Sequence, residues 1–326
     1  MAEITLVEAV NLAMAYEMGV DPSVIVLGED VGQDGGVFRA TLGLLAKYGP
    51  SRVLDTPLAE SMIAGLAVGM AARGLKPIAE IQFMGFIYPA MDQIVNHASR
   101  FRNRTRGRLT CPLVIRTPCG AGIHAPEHHS ESTEAMFAHI PGLRVVVPSS
   151  PKRAYGLLLA SIRDPDPVIF LEPSRLYRYA KQEVPNDGQA LPLDKCFTLR
   201  TGEDVTLVTW GAMIKETMAV ANTLQQNGIS AEVIDVATIK PLDMESILTS
   251  VEKTGRLVVI HEACYTAGIG AEILAQVAEK GMFSLKAPPE RVAGFDTVVP
   301  YARMEKYYIP TEERIMQAIN RVMEYA

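Results

Sequence analysis

The sequence has no uninterrupted apolar run of the ~20 residues that a membrane-spanning helix needs, so none is expected. Its first ten residues, MAEITLVEAV, have no basic n-region and no cleavable apolar stretch, so no secretion signal is expected. The four cysteines, Cys111, Cys119, Cys196 and Cys264, form no CxxC pair, which argues against structural zinc and thioredoxin-type chemistry. Scattered thiols of this kind fit a reducing cytoplasm. No GxGxxG follows a strand: the glycines at 268 and 270 come too late and lack the third. No GxxxxGK[ST] occurs either, so neither a dinucleotide nor a phosphate loop is expected. Low-complexity tracts and short-period repeats are absent. An excess of basic charge is lacking too: 31 Lys+Arg against 37 Asp+Glu give −6, which disfavours nucleic acid or an anionic membrane as partner.

What is present is a 326-residue chain, 48% hydrophobic and 21% charged, which predicts a globular enzyme of two domains. Short β-branched runs alternate with helical patterns, the signature of parallel sheets covered on both faces. Strands are expected over 24–28, 77–83, 112–117, 144–147 and 168–171. Helices are expected over 5–19, where Thr5 and Glu8 have capping-box spacing, over 59–74, over 86–104, and from Ser150-Pro151 onward. The pattern fades between about 179 and 204 into a polar linker with a crossing strand. A second series then follows, with strands at 205–209, 231–236 and 257–261 and helices at 213–227, 244–253, 269–280 and 311–325.

Three places invite a chemical reading. Ligands of open parallel sheets sit at the carboxyl ends of strands, and Gly28-Glu29-Asp30 lies at such an end. The two acids there are either functional or simple caps of the next turn. Glu60 falls near a helix start, where the dipole favours an ionised carboxylate; taken alone, ordinary helix-end electrostatics explains it. The small residues after it allow close approach of another backbone, in the core or in a subunit contact. Finally, His124, His128 and His129 lie in one Gly/Pro-rich loop with Glu127 and Glu131. The spacing is not that of HExxH, so proton transfer is preferred to metal binding, with a polar surface loop as the plain alternative. Cys111 and Cys119 have nothing visible that would lower a thiol pKa.

The runs GEDVGQDGGVFRAT, TPLAESMIAGLAVGMAARG, EIQFMGFIYPAMDQIVN, HHSESTEAMFAHIPGLRVVVPSSP and DPVIFLEPSRLYR closely resemble the beta subunits of thiamine-diphosphate-dependent 2-oxo acid dehydrogenases, in order along nearly the whole chain. The bacterial heterotetrameric pyruvate type is nearest and the branched-chain type second. The resemblance implies an α/β fold of two doubly wound domains: a transketolase-like pyrimidine-binding domain over 1–180, a linker over 181–203, and a transketolase C-terminal-like domain over 204–326. It implies an α2β2 assembly in the cytoplasm whose alpha subunit holds the diphosphate and Mg²⁺ through a Gly-Asp-Gly motif. This chain has no such motif. It further implies decarboxylation of pyruvate and acetyl transfer to the lipoyl-lysine of a dihydrolipoyl acetyltransferase core, whose peripheral subunit-binding domain docks on the C-terminal domain.

Residue by residue, the resemblance gives Glu60 the bond to the aminopyrimidine ring nitrogen that favours the imino tautomer. It gives Leu58 a backbone contact to that ring, Phe86 the packing on its face, and His129 proton or acyl transfer in reductive acylation. His128 is the less favoured of the pair, and Glu131 stands where relatives have Gln or Asp. Glu29 and Asp92 match acids of a proposed proton path between two coenzymes, or serve as structural carboxylates. A structural potassium ion on main-chain carbonyls is implied at Cys111, Leu113, Val114, Ser161, Asp164 and Asp166. Three rivals remain at this point: the branched-chain substrate, a non-catalytic scaffold, and a metallohydrolase using His124, His128 and Glu131.

Overall fold

The computed structural model describes residues 3–325. The chain divides into two compact units, Met1–Cys119 with Met136–Leu193, and Gly120–Ala135 with Asp194–Ala326. Segment 120–135 thus leaves the first unit and returns to it.

In the first unit, parallel strands β1 (Val24–Gly28), β2 (Val53–Asp55), β3 (Lys76–Glu80), β4 (Val114–Cys119), β5 (Arg144–Val146) and β6 (Val168–Pro173) lie in the order β5-β6-β4-β3-β1-β2. The chain runs from β1 outward to β2 and then returns to place β3 on the other side of β1. The winding therefore reverses between β1 and β3, and loops leaving their carboxyl ends part there. Helix α1 (Leu6–Val20) starts as its sequence dictates: Thr5 accepts from the Glu8 amide at 3.4 Å, and the Glu8 carboxylate accepts from the Thr5 amide at 2.7 Å. Helix α2 (Glu60–Ala72) is rich in small residues, and α3 (Pro151–Arg163) has Ser150 as its cap and proline in its first turn. Helices α1 and α3 pack together, joined by Arg163 Nε donating to buried Glu17 at 2.9 Å.

A buried ionic cluster joins the carboxyl ends of β3 and β6 to the middle of β4. Arg116, 1% exposed, donates to both oxygens of Glu172 at 2.7 Å each and to Glu80. The Tyr177 hydroxyl donates to Glu172 at 2.5 Å. Burial, then the charge of Glu172, raises the Glu80 pKa, while Arg116 opposes the shift.

The second unit forms a five-stranded sheet from β7 (Phe197–Arg200), β8 (Val205–Thr209), β9 (Ala231–Asp235), β10 (Leu257–Cys264) and β11 (Glu290–Gly294), ordered β11-β10-β8-β9-β7. Only β7 is antiparallel, at one edge. Helices α4 (Ile214–Gln226) and α7 (Glu312–Met323) share a core with Leu207, Val233, Ile260 and Val292, while α5 (Met244–Thr254) and α6 (Ile269–Gly281) pack against each other. This sheet also reverses its winding, between β8 and β10.

Most elements match the sequence expectation within a few residues. The helix expected over 86–104 does not form as one rod. It breaks into a 3₁₀ segment (Met84–Ala90) containing Pro89, a π-helical stretch (Gln93–Ala98) and a short α-turn (Phe101–Arg104). Proline removes a backbone donor and crowds the preceding turn, which disrupts the i→i−4 ladder. The strand expected over 77–83 ends at Glu80, and β11 and the helix Ala302–Tyr308 were not foreseen. No described helix is long and apolar enough to cross a membrane. All four cysteines are free.

Two consequences for stability follow from buried charge. Replacing Arg116 by Met leaves two buried carboxylates without their cation and is expected to cost about 3–5 kcal/mol, read as a lower urea midpoint at pH 7. His261 is fully buried and stacked on Trp210, rings 5.3 Å apart and 9° from parallel. Burial, then Arg291, pushes its pKa from 6.5 down to about 4. The unfolded chain therefore takes up this proton first, and stability falls as pH drops from about 6.5 to about 4, by roughly 3 kcal/mol in all. His261→Gln should remove that part of the slope in urea titrations between pH 8 and 4; an unchanged slope would refute the assignment.

Candidate active site

The first unit's switch point gathers the acids that the sequence singled out. Strand β1 runs directly into Gly28, Glu29 and Asp30. Gly28 lies alongside Glu80 in the β1–β3 register, and a side chain there would stand 2.8 Å from the Glu80 carbonyl oxygen. With φ at +156° besides, glycine is required. Asp30 takes a left-handed turn (φ 56°), and its carboxylate accepts from Gln82 Nε2 at 3.3 Å, so the chains leaving β1 and β3 are tied across the reversal.

Asp55, at the end of β2, accepts from the Gly32 and Gln33 amides at 2.6 and 3.2 Å, which fixes the loop after Asp30. The Thr56 amide donates to the Gly28 carbonyl at 2.9 Å. The chain then passes Leu58, which is 70% exposed, and enters α2 at Glu60. Ala59 precedes the helix and offers no side-chain cap, and Glu60 is the acidic residue of the first turn, where free N–H groups and the dipole favour negative charge. Half-buried Glu29 has a raised pKa, first from burial and then from the charges of Asp30 and Glu60. Those three acids therefore share one electrostatic environment.

The Ser61 hydroxyl donates to the Pro89 carbonyl at 2.5 Å, which ties α2 to the 3₁₀ segment that carries Phe86. The Phe86 ring stands perpendicular to Phe83 with centroids 6.0 Å apart, and Phe38 meets the other side of Phe83 at 5.5 Å. Thr56 Oγ1 is buried without a hydrogen-bond partner among the described residues. An orphaned hydroxyl, a helix-start carboxylate, an exposed leucine and a braced phenyl ring around one strand reversal fit a polar aromatic ring such as the aminopyrimidine.

The histidines lie in segment 120–135, which packs with the second unit. His128 and His129 sit in a single 3₁₀ turn (Glu127–His129), rings 4.2 Å apart and nearly perpendicular. Burial, then the neighbouring His128, lowers the His129 pKa, with Glu127 opposing. The shift favours the neutral imidazole, the form that can accept a proton. His124, with φ at 61°, pairs instead with Glu305 at 3.7 Å. Among the described residues no group of three or more His, Cys, Asp or Glu is arranged to hold a metal ion, so His124, His128 and Glu131 do not form the cluster a metallohydrolase needs.

Asp92 is not buried in this chain; its side chain is largely exposed and accepts from Gln93 and Asn96 at 3.1 and 2.7 Å. The segments implied for potassium do meet: the Cys111 amide donates to the Pro165 carbonyl at 3.1 Å. The Leu113 and Ser161 carbonyls accept from the Val168 and Asp164 amides, and Val114 stands opposite Val168 in the β4–β6 register. Asp164 and Asp166 pair with Arg144 and Arg102. The buried Cys111 thiol is pushed up to about 12 by burial, then by Asp166, which removes it as a nucleophile.

Sequence reasoning missed Gln82, Asp55, Glu262 and Glu305. Glu262 had the same signal as Glu29, an acid at the end of an apolar strand. Glu305 had no local signal at all.

Residues 2–180 match the family described as transketolase, pyrimidine binding domain, and residues 194–315 match transketolase, C-terminal domain. The pyruvate dehydrogenase E1 component subunit beta of Acholeplasma laidlawii is 52% identical over 322 residues, 99% of this chain and 98% of its own. That of Bacillus subtilis (strain 168) is 46% identical over 325 residues, 100% of both chains. Among solved structures, a split gene transketolase in an inactive beta4 tetramer superposes with a TM-score of 0.82 over 99% of each chain, at 23% identity, a likeness of fold. The chain belongs to the family of pyruvate dehydrogenase E1 component beta subunits, built from a transketolase-type pyrimidine-binding domain and a transketolase-type C-terminal domain.

Proposed function

We propose that this chain is the coenzyme-activating half of a pyruvate dehydrogenase (acetyl-transferring), which decarboxylates pyruvate and passes the acetyl group to lipoyl-lysine. The observation that carries this reading is the acid pair at the first switch point, Glu29 beside Glu60, with Glu60 in the first turn of α2. Thiamine diphosphate, when bound, supplies the electron sink for loss of CO₂.

The chain's own residues do the rest. Glu60 holds and releases a proton at the ring nitrogen of the aminopyrimidine, the task for which its place at the helix start suits a carboxylate. Phe86, braced by Phe83, bounds the ring, and Leu58 offers its backbone. Burial, then the charges of Asp30 and Glu60, makes Glu29 take a proton more readily than an ordinary glutamate. Neutral His129 accepts a proton during acyl transfer. With no Gly-Asp-Gly motif in this chain, the diphosphate and its Mg²⁺ fall to an alpha subunit in an α2β2 assembly. The acyltransferase core is the acceptor. The potassium ion belongs to the same proposal, supported by the adjoining carbonyl-bearing segments around Cys111 and Asp164, and so does a reducing cytoplasm, supported by the free thiols.

The test is the reconstituted complex of this chain with its alpha subunit. We expect kcat/KM for pyruvate to exceed that for 3-methyl-2-oxobutanoate at least tenfold; the reverse order would assign the branched-chain reaction. Glu60→Gln should lower kcat on the order of 10²–10⁴-fold without changing assembly. Unaltered turnover would leave the chain a scaffold. The same substitution removes one of the charges that raise Glu29, so the Glu29 carboxyl should titrate lower in Glu60→Gln, as followed by isotope-edited infrared spectroscopy.

A further inference from the structure

The second unit has its own switch point, between β8 and β10, where an open α/β sheet would receive a ligand. Segment 120–135 is held there. Trp210 follows β8, and its indole Nε1 donates to Glu134 at 3.1 Å. Glu262, near the end of β10, accepts from the Ala121 amide. Gly120, with φ at +85°, makes room for that carboxylate: a side chain there would stand 2.9 Å from Glu262 Oε1. Glu305, 2% exposed on the helix Ala302–Tyr308, accepts from the Gly122 amide at 2.5 Å and from the His124 amide at 3.2 Å, one on each oxygen. Ala121 completes the grip by packing against Val299 and Tyr308. Midway along the segment, the Tyr301 hydroxyl donates to Glu127, in the same turn as His129.

We propose that Glu262 and Glu305 are positioning residues for His129. Two buried carboxylates of the C-terminal domain accept three backbone N–H groups at 121, 122 and 124 and so fix the loop that carries the imidazole. Charge-assisted bonds of this kind are short and directional. A carboxylate can accept on both oxygens, whereas an amide in its place turns one acceptor into a donor facing an N–H. The loop is further closed on itself by the Gly120 amide on the Glu131 carbonyl at 2.9 Å and the His129 amide on the Pro126 carbonyl at 2.9 Å. Displacement at 121–124 is therefore passed on to the histidine turn. The inference rests on the acyl-transfer role of His129 proposed above, and it gives the C-terminal domain a part in that step.

The test separates the two half-reactions in the reconstituted α2β2 complex. Decarboxylation is read with 2,6-dichlorophenolindophenol as electron acceptor, and acetyl transfer with an isolated lipoyl domain. We expect Glu305→Gln to lower kcat for acetyl transfer at least tenfold with little change in KM for the lipoyl domain, to leave the dye-linked rate within threefold, and to speed amide hydrogen exchange at 121–124 in the coenzyme-free complex. Glu305→Asp keeps the charge on a shorter side chain; it should lower transfer at least threefold. His129→Gln is the reference and should show the same split. Loss of transfer in His129→Gln with wild-type transfer in both Glu305 variants would overturn the positioning role alone. Full transfer in His129→Gln would instead sink the reading of His129 and the proposal with it. An equal fall of both half-reactions in Glu305→Asp would also overturn it, as damage without direction.

Discussion

Arg116, midway along β4, bonds both Glu80 and Glu172, which stand at or near the ends of the flanking strands β3 and β6 where the sheet gives way to loops. Two carboxylates buried this deeply stand only because one guanidinium, with five fixed donors, matches both. The cluster acts on the site through close neighbours. A side chain at Gly36 would stand 3.0 Å from Glu80 Oε1, so the loop after Asp30 folds directly over this carboxylate. Tyr177, bonded to Glu172, meets Phe38 with centroids 5.1 Å apart, and Phe38 leads through Phe83 to Phe86. Charge in the core and aromatic packing at the surface are thus one continuous structure.

The two switch points use acids in opposite ways. At the second, Glu262 receives a backbone donor of the chain itself and is consumed as structure. At the first, Glu29, Asp30 and Glu60 are set near one another, and the raised pKa of Glu29 comes first from burial and then from the charges of the other two. Such an arrangement weakens the isolated chain, and it persists because Asp55, Gln82 and the helix start fix the backbone around it. Like charges brought together by a rigid frame are a feature of sites that bind or move protons.

Local signals in the sequence account for much of the fold. Thr5 with Glu8, and Ser150 with Pro151, start their helices as capping chemistry requires, and the buried β-branched runs became strands. The region 86–104 was misjudged because hydrophobic spacing does not distinguish 3₁₀, α and π windings, and Pro89 decided among them. Strand β11 opens on Glu290 and Arg291, which hides it from any apolar pattern. The site divides in the same way. Glu29 is legible as an acid at a strand end and the histidine loop as a place for proton transfer, but ordinary helix-end electrostatics suffices for Glu60, so its chemistry, and the choice of His129 within the loop, come from resemblance. Glu305 reaches an amide 183 positions away, and nothing local marks such a contact.

Helix α2 carries both the acid and a line of uncovered apolar surface. Leu58, Met62 and Leu66 recur every four residues, all exposed, beside Glu60. Leu58 stands just before the helix and Met62 and Leu66 on it, and large apolar side chains left uncovered in water are the kind of surface that other chains cover. A chain that covered it would grip the same element that presents Glu60. Such a contact would exclude water from Glu60 at the moment the two chains meet, so a surface that is unfavourable alone would strengthen the electrostatics of the acid beside it.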